Sequence, residues 1–202
     1  VIERGAPVPR VDCQISSMSL PYELQTREDT VPAPGPRYGL DAGRRRAWRQ
    51  QLDARPGRKI GIVWGGNTAN RKGLDRSMPL QAMARLAACR DVTLVSLQHG
   101  PHMAERETCP EILAWPQQDL ADTAALVAEL DLTITVDTLM AHLAGTVGRR
   151  AWVLLPFAAD WRWMRGREDS PWYPDMRLFR QRRPGDWDEL VDRVAAALDA
   201  LV

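Results

Sequence analysis

The sequence predicts an α/β fold, a parallel sheet with helices on both faces, and two patterns support this. Short apolar runs alternate with segments of helical periodicity along most of the 202 residues, which is typical of repeated strand–helix units. The runs are apolar throughout rather than at every second position, as expected of strands buried on both faces. The length allows a substantial core in one domain, or in one domain plus a piece of another.

The first 40 residues do not follow this pattern, because prolines interrupt them repeatedly. Each proline removes a backbone donor and restricts the residue before it, so we expect an extended or looped segment. Asp41 is placed to cap a helix over 44–52, which a Pro-Gly pair then ends. We predict that 1–56 is the end of an upstream domain with a linker and connecting helix, and that 57–202 is the α/β domain. Since the chain starts at Val1, we expect it to be a piece of a longer polypeptide.

In the second region, apolar runs predict strands and the periodic segments between them predict helices. The predicted strands are 59–64, 92–97, 111–115, 132–136, 151–155 and 176–179. The predicted helices begin near Ser77 (with Pro79 in the first turn), Asp119, Thr138 and Asp186. Glu189 makes the last start similar to a capping box. This order predicts a Rossmann-like domain from about residue 57 onward.

Composition excludes several classes of function. The 27 basic and 26 acidic residues nearly balance, which argues against a dedicated nucleic-acid binder. No apolar run approaches the roughly 18 residues of a membrane span, and no signal segment opens the chain. Three scattered cysteines fit neither a disulfide framework nor a metal knuckle, so we expect a cytoplasmic protein. His99 and His102 have no partner at metal spacing, and we predict no metal site.

The site is expected where the strands end, since ligands of open parallel sheets bind outside the carboxyl ends of the strands. Gly65, Gly66 and Asn67 follow the first strand, and the glycines allow a ligand to approach the backbone. Arg76 and Ser77 precede a helix whose start favours a phosphate. A tight turn with an ordinary cap explains the same residues equally well. The segment is neither a dinucleotide fingerprint nor a P-loop.

A second candidate follows the strand 132–136. Asp137 ends that strand, a helix begins at once, and His142 lies one turn beyond Thr138. The helix start and the Thr138 hydroxyl can hold an anion, while Asp137 can accept from sugar hydroxyls. The alternative is that Asp137 is an N-cap and His142 a core residue. Gln98 follows the strand 92–97 at the same predicted edge.

A third candidate is the aromatic stretch 160–174, which includes the sequence DWRW. Its tryptophans, arginines and tyrosine can stack on a base or a sugar ring. A small Trp–Pro core that fixes a long loop is an equally good explanation.

These segments occur together in a known family. The matching motifs are DCQISSMSLP, GIVWGGN, RSMPL, VSLQ, ADTAALVAELDL, VDTLMAHLAG and DWRW…REDSPWYP. In them the chain resembles the bacterial glycosyltransferases of the heptosyltransferase-like family (family 9-like), particularly those with tetratricopeptide repeats ahead of a glycosyltransferase-like region. The resemblance implies a GT-B architecture, of which this chain is the C-terminal, donor-binding half.

The resemblance also implies roles for the candidate residues. Arg76, Ser77 and Thr138 would face the donor diphosphate, Asp137 would reach the donor sugar, and the loop around Gln98 would lie near the base. His142 would hold this arrangement together.

The implied substrate is a nucleoside-diphosphate sugar, which donates its sugar to a protein or glycan hydroxyl without a cofactor or bound metal. The general base is expected in the other domain, so that this chain alone would be inactive.

The loop 68–75 departs from the family, because it lacks a His and an Asn-Asp-Arg run found in relatives. Two alternatives to an active transferase domain therefore stand: a degenerate domain that serves as a protein-interaction module, with the Arg44–Arg49 face as a candidate surface, and a sugar-nucleotide epimerase.

Overall fold

A computed structural model describes residues 5–7, 9–32, 39–69 and 71–201. The chain divides into two compact units, Val1–Pro32 and Ala33–Val202. In the first unit, the described residues form one short helix, α1 (Leu20–Glu23), and a 3₁₀ turn at Glu28–Thr30, and none of them is buried.

The second unit is built on a five-stranded parallel sheet. Its strands are β1 (Arg58–Val63), β2 (Val92–Ser96), β3 (Leu132–Val136), β4 (Ala151–Leu155) and β5 (Met176–Arg180), in the spatial order β2-β1-β3-β4-β5. The order reverses between β1 and β3, so that the loops after these strands diverge and leave a crevice at the sheet edge. The Rossmann-like α/β fold predicted from the sequence is confirmed.

Helices cover both faces of the sheet. The helices of this unit are α2 (Ala42–Asp53), α3 (Arg71–Asp75), α4 (Leu80–Ala84), α5 (Leu120–Glu129), α6 (Leu139–Thr146) and α7 (Trp187–Asp199). One core lies between the sheet and α4 and α7, and the second lies between the sheet and α2, α5 and α6. Alternate residues of β4 supply the two cores: Trp152 and Leu154 the first, Val153 and Leu155 the second. A strand that is apolar at every position is the result.

Most predicted helix starts are confirmed by their caps. Asp41, Asp119 and Asp186 each accept a hydrogen bond from the backbone N–H three residues later. The prediction that Ser77 caps a helix is wrong. Pro79 is the N-cap residue of α4, and the Ser77 hydroxyl donates to the Gly73 carbonyl instead.

The predicted strand at 111–115 is reduced to a single bridge between Val95 and Leu113. The 3₁₀ segment Arg85–Ala88 follows α4 directly and lies within the helix predicted from Ser77, whereas the 3₁₀ segment Pro101–Thr108 had no counterpart in the predicted elements. Among the described residues, no helix combines the length and apolar character needed to cross a membrane.

Candidate functional site

A cavity of about 620 Å³ lies at the carboxyl ends of β1, β2 and β3. Its walls come from the loop after β1, the loop after β2, the approach to α5 and the start of α6. The lining residues from the sequence analysis are Gly65, Gly66, Asn67, Arg76, Gln98 and Thr138. The topology thus brings together six of the nine predicted site residues. We call this space the first cavity.

Gln98 holds the loop after β1 in place. Its buried amide oxygen accepts from the backbone N–H groups of Trp64 (3.1 Å) and Gly65 (2.9 Å). Its amide nitrogen donates to the carbonyls of Gly65 (3.1 Å) and His99 (2.8 Å). The amide oxygen and nitrogen thus make four hydrogen bonds to the backbone, and Gln98 thereby fixes the shape of the cavity wall.

Ser77 and Gly73 fold the rest of this loop back on itself. The Ser77 hydroxyl accepts from the Gly66 N–H at 2.9 Å and donates to the Gly73 carbonyl at 2.7 Å. A Cβ at Gly73 would lie 1.7 Å from the carbonyl oxygen of Asn67, and only glycine allows that approach. Ser77 lines neither cavity described here.

Arg76 lies between the first cavity and a second one. Its Nη1 is 3.4 Å from Asp137 Oδ2, a long contact for an ion pair. Its Nε is buried and has no hydrogen-bond partner within the described part of the chain. Buried polar groups are normally satisfied, so a guanidinium with a buried unpaired N–H that lines two cavities is suited to an anionic ligand.

Thr138 is the N-cap of α6. Its hydroxyl accepts from the Met140 N–H at 3.3 Å and lies 3.0 Å from the Thr135 hydroxyl. Since Thr135 donates to the Val136 carbonyl, Thr138 is the donor between the two hydroxyls. The Met140 N–H is bonded to Thr138, so the donor that this helix start can offer an anion is the backbone N–H of Leu139 rather than the Thr138 side chain.

His142 lies behind this helix start and lines neither cavity. Its ring stacks on Trp163, with centroids 5.6 Å apart and planes 17° apart, and its Nδ1 is 3.1 Å from the Tyr173 hydroxyl. Burial lowers the pKa of the imidazole, and the charge of Asp137 only partly opposes this effect. The ring is thus a neutral packing element at pH 7.

The second cavity has a volume of about 340 Å³. Asp137, 7% exposed, lines it with Arg76. The remaining walls come from the end of α3 and the loop after β4: Asp75, Pro156, Ala158, Ala159, Asp160 and Trp161. Asp137 and the beginning of the DWRW stretch therefore share one space, while Trp163 belongs to the core.

Sequence reasoning missed the wall before α5, where Gln117, Gln118 and Asp119 line the first cavity. The predicted short strand at 111–115 was the signal that a loop at the same sheet edge would follow it. Sequence reasoning also missed Glu105, whose carboxylate accepts from Trp64 Nε1 (3.0 Å) and lies 2.6 Å from His102 Nδ1. The helical turn that places it carries no apolar periodicity to reveal it.

The arginine run of α2 is mostly paired within the domain. Arg44 contacts Asp119 at 2.5 Å, and Arg45 and Arg49 both contact Glu129. These arginines attach α2 to α5, and the negative partners reduce the positive charge that the face presents.

Comparison with known proteins finds similar sequences and structures. Protein FlbA of Caulobacter vibrioides is 32% identical over 168 residues, which cover 78% of this chain and 28% of that protein. E. coli ADP-heptose LPS heptosyltransferase II has a similar structure, with a TM-score of 0.64 at 17% identity over 86% of this chain and 56% of that one. For E. coli heptosyltransferase WaaC with ADP the TM-score is 0.46 at 14% identity, over 76% of this chain and 49% of that one. No family model matches the chain.

The chain therefore has a heptosyltransferase-like fold. It spans about a quarter of the curated relative and about half of each solved structure.

Proposed function

We propose that this chain is the donor-binding half of a glycosyltransferase and holds a nucleoside-diphosphate sugar in the two cavities. The observation that carries the proposal is Arg76, which lines both cavities at the carboxyl ends of the strands with one buried N–H unpaired. The fold shared with heptosyltransferase II supports a transferase of this kind. The acceptor is proposed to be a protein or glycan hydroxyl.

The diphosphate is proposed to lie between Arg76 and the first turn of α6. There the guanidinium and the backbone N–H of Leu139 can neutralise it without a metal. The nucleoside then occupies the first cavity, between the loop that Gln98 holds and the wall before α5.

In the reaction, the bond between the anomeric carbon and the phosphate oxygen breaks as the acceptor oxygen bonds to that carbon. The acceptor proton goes to a general base, which we place in the other GT-B domain, and the departing charge goes to Arg76 and α6. This chain alone is therefore proposed to bind a donor without transferring its sugar.

Calorimetric titration with UDP, GDP, ADP and CMP tests the proposal. We expect one of these nucleotides to bind, and Arg76→Ala to weaken it at least about tenfold, since a hydrogen bond to a charged group contributes about 1.5–3 kcal/mol. Arg85→Ala is the matched control, because that half-exposed arginine pairs with Asp188 and Asp192 on the helix α7. It should leave affinity unchanged.

Two results would contradict the proposal. Equal binding by the parent and Arg76→Ala would move the site elsewhere. If folded protein binds none of the four nucleotides, the result would favour the alternative, a degenerate domain that acts as a protein-interaction module. In that case the basic face of α2 would be a poor candidate for the interaction surface, because Arg44, Arg45 and Arg49 are paired with carboxylates.

A further inference from the structure

The second cavity combines polar walls with an aromatic side chain at its edge. Asp137 and Arg76 form its inner side, Asp160 lies on the opposite loop, and Trp161 completes the wall while staying 64% exposed. Small-molecule sites typically have a few polar groups that fix orientation beside apolar surface, and 340 Å³ lies within their usual range of roughly 300–1,000 Å³.

We propose that this cavity binds a sugar ring, with Trp161 as the stacking surface and the Asp160 carboxylate as an acceptor for ring hydroxyls. The proposal rests on the proposed function, since the ring is the glycosyl group of the donor whose diphosphate lies at Arg76. It adds that Trp161 and Asp160 recognise the sugar, independently of the nucleotide.

Trp161 is exposed but held in a fixed position. The Arg162 guanidinium lies 4.8 Å from its ring centroid, and the Trp172 ring meets it edge-on at 6.4 Å and 86°. These contacts brace an indole that remains mostly open to solvent. A large apolar ring that is both exposed and braced is suited to a ligand, because little side-chain entropy is lost on binding.

The loop under Trp161 is braced as well. Asp160 Oδ1 accepts from the Arg162 backbone N–H (3.1 Å) and guanidinium (2.8 Å), and Trp172 Nε1 donates to the Arg162 carbonyl at 2.9 Å. The Arg180 guanidinium donates to the Trp163 carbonyl, which fixes the end of the turn.

Met164, the next residue, has φ 53° and ψ −162°, a conformation that a side chain makes unfavourable. Strained backbone of this kind clusters at binding sites, where the surrounding contacts maintain it.

A sugar ring matches these groups chemically. Its C–H groups pack on the negative face of an aromatic ring, and its hydroxyls donate to carboxylates. Arg76 joins the two cavities, so that a diphosphate at the guanidinium leaves the glycosyl group next to Asp137, Asp160 and Trp161.

The test compares each nucleoside diphosphate with its sugar form on the same protein: UDP with UDP-N-acetylglucosamine, GDP with GDP-mannose, and ADP with ADP-glucose. For the pair that binds, we expect Trp161→Ala to weaken binding of the sugar form about 5- to 12-fold, the range that roughly 1–1.5 kcal/mol of stacking corresponds to. The affinity for the free diphosphate should not change.

Matched variants separate sugar recognition from loop damage. Trp161→Phe keeps a stacking surface and should restore most of the affinity for the sugar form. Asp160→Asn keeps the oxygen that accepts from Arg162 but removes the charge, and it should weaken the sugar form alone. Phe157→Ala, 59% exposed on the same loop and outside the cavity lining, should change neither affinity.

The outcomes are distinguishable. The sugar subsite would be overturned if Trp161→Ala lost affinity equally for the sugar form and the free diphosphate, or lost none. Either result would leave the donor proposal standing. Failure of all three nucleoside diphosphates to bind would overturn both.

Discussion

At the scale of single residues, one amide sets the shape of the candidate site. Gln98 accepts two N–H groups and donates to two carbonyls, all from backbone close to the first cavity. A glutamate of the same size could accept but not donate. It would therefore place a charge against the carbonyls of Gly65 and His99 in a position that is 5% exposed.

We predict that Gln98→Glu lowers the free energy of unfolding by about 3 kcal/mol, because two buried carbonyls lose their donor and face a carboxylate. Urea unfolding followed by circular dichroism measures this. Gln117→Glu is the matched control, since Gln117 lines the same cavity but is half-buried and donates to a single carbonyl, that of Trp115. It should change stability by no more than about 0.5 kcal/mol. Equal midpoints for the parent and Gln98→Glu would show that the amide does not hold the loop.

At the scale of secondary-structure elements, the sequence predicted what depends on local pattern. The strands 132–136 and 151–155 have the predicted bounds, because charged residues or proline flank each apolar run: Asp131 and Asp137 the first, Arg150 and Pro156 the second. The Asp caps of α2, α5 and α7 were also readable, since each cap bonds within three residues.

What depends on long-range contacts was not predictable. Serine is a residue type that often caps helices, but the Ser77 hydroxyl is hydrogen-bonded to Gly66 and Gly73 instead. The path of that loop is set by the close approach of Gly73 to Asn67. His142 has the spacing of a ligand, yet Trp163 and Tyr173, which are distant in sequence, hold it in the packing. The edge of the sheet was therefore predictable from topology, and the role of each side chain there was not.

The contact between α2 and α5 supports one wall of the first cavity. Trp48 on α2 donates from Nε1 to Asp122 Oδ1 at 2.8 Å, and both residues are buried. The second oxygen of Asp122 accepts from the backbone N–H of Gln118, a lining residue. One carboxylate thus links the helix interface to the cavity.

We predict that Trp48→Phe lowers the free energy of unfolding by about 2 kcal/mol, because it leaves a buried carboxylate oxygen without a donor and a small void beside it. Chemical unfolding measures the change. Trp172→Phe is the matched control: it also removes an indole hydrogen bond, to the Arg162 carbonyl, but at an exposed site. Its effect should be less than half as large, and the reverse order would contradict the importance of the α2–α5 contact.

At the scale of the whole molecule, the titration of groups with shifted pKa values makes stability depend on pH. His142 is the group of interest near neutrality, because burial holds its pKa below the ordinary value of 6.5. The carboxylates of Asp119, Glu129, Asp169 and Glu189 also have lowered pKa values, through hydrogen bonds to arginines in each case, although burial opposes this at Glu129. These carboxylates change stability at more acidic pH than His142 does. The contribution of His142 can therefore be measured separately from theirs.

As the pH falls below about 6.5, His142 gains a proton in the unfolded chain but stays neutral in the folded one. The unfolded state then binds more protons, so this residue lowers the free energy of unfolding until the pH passes its folded pKa. We predict that His142→Gln, which can still hydrogen-bond Tyr173, removes this decline between about pH 7 and 5, as measured by urea unfolding at a series of pH values. His99→Gln, an exposed substitution, should keep the parent's slope. Parallel pH profiles for the parent and His142→Gln would show that the buried ring does not control stability in this range.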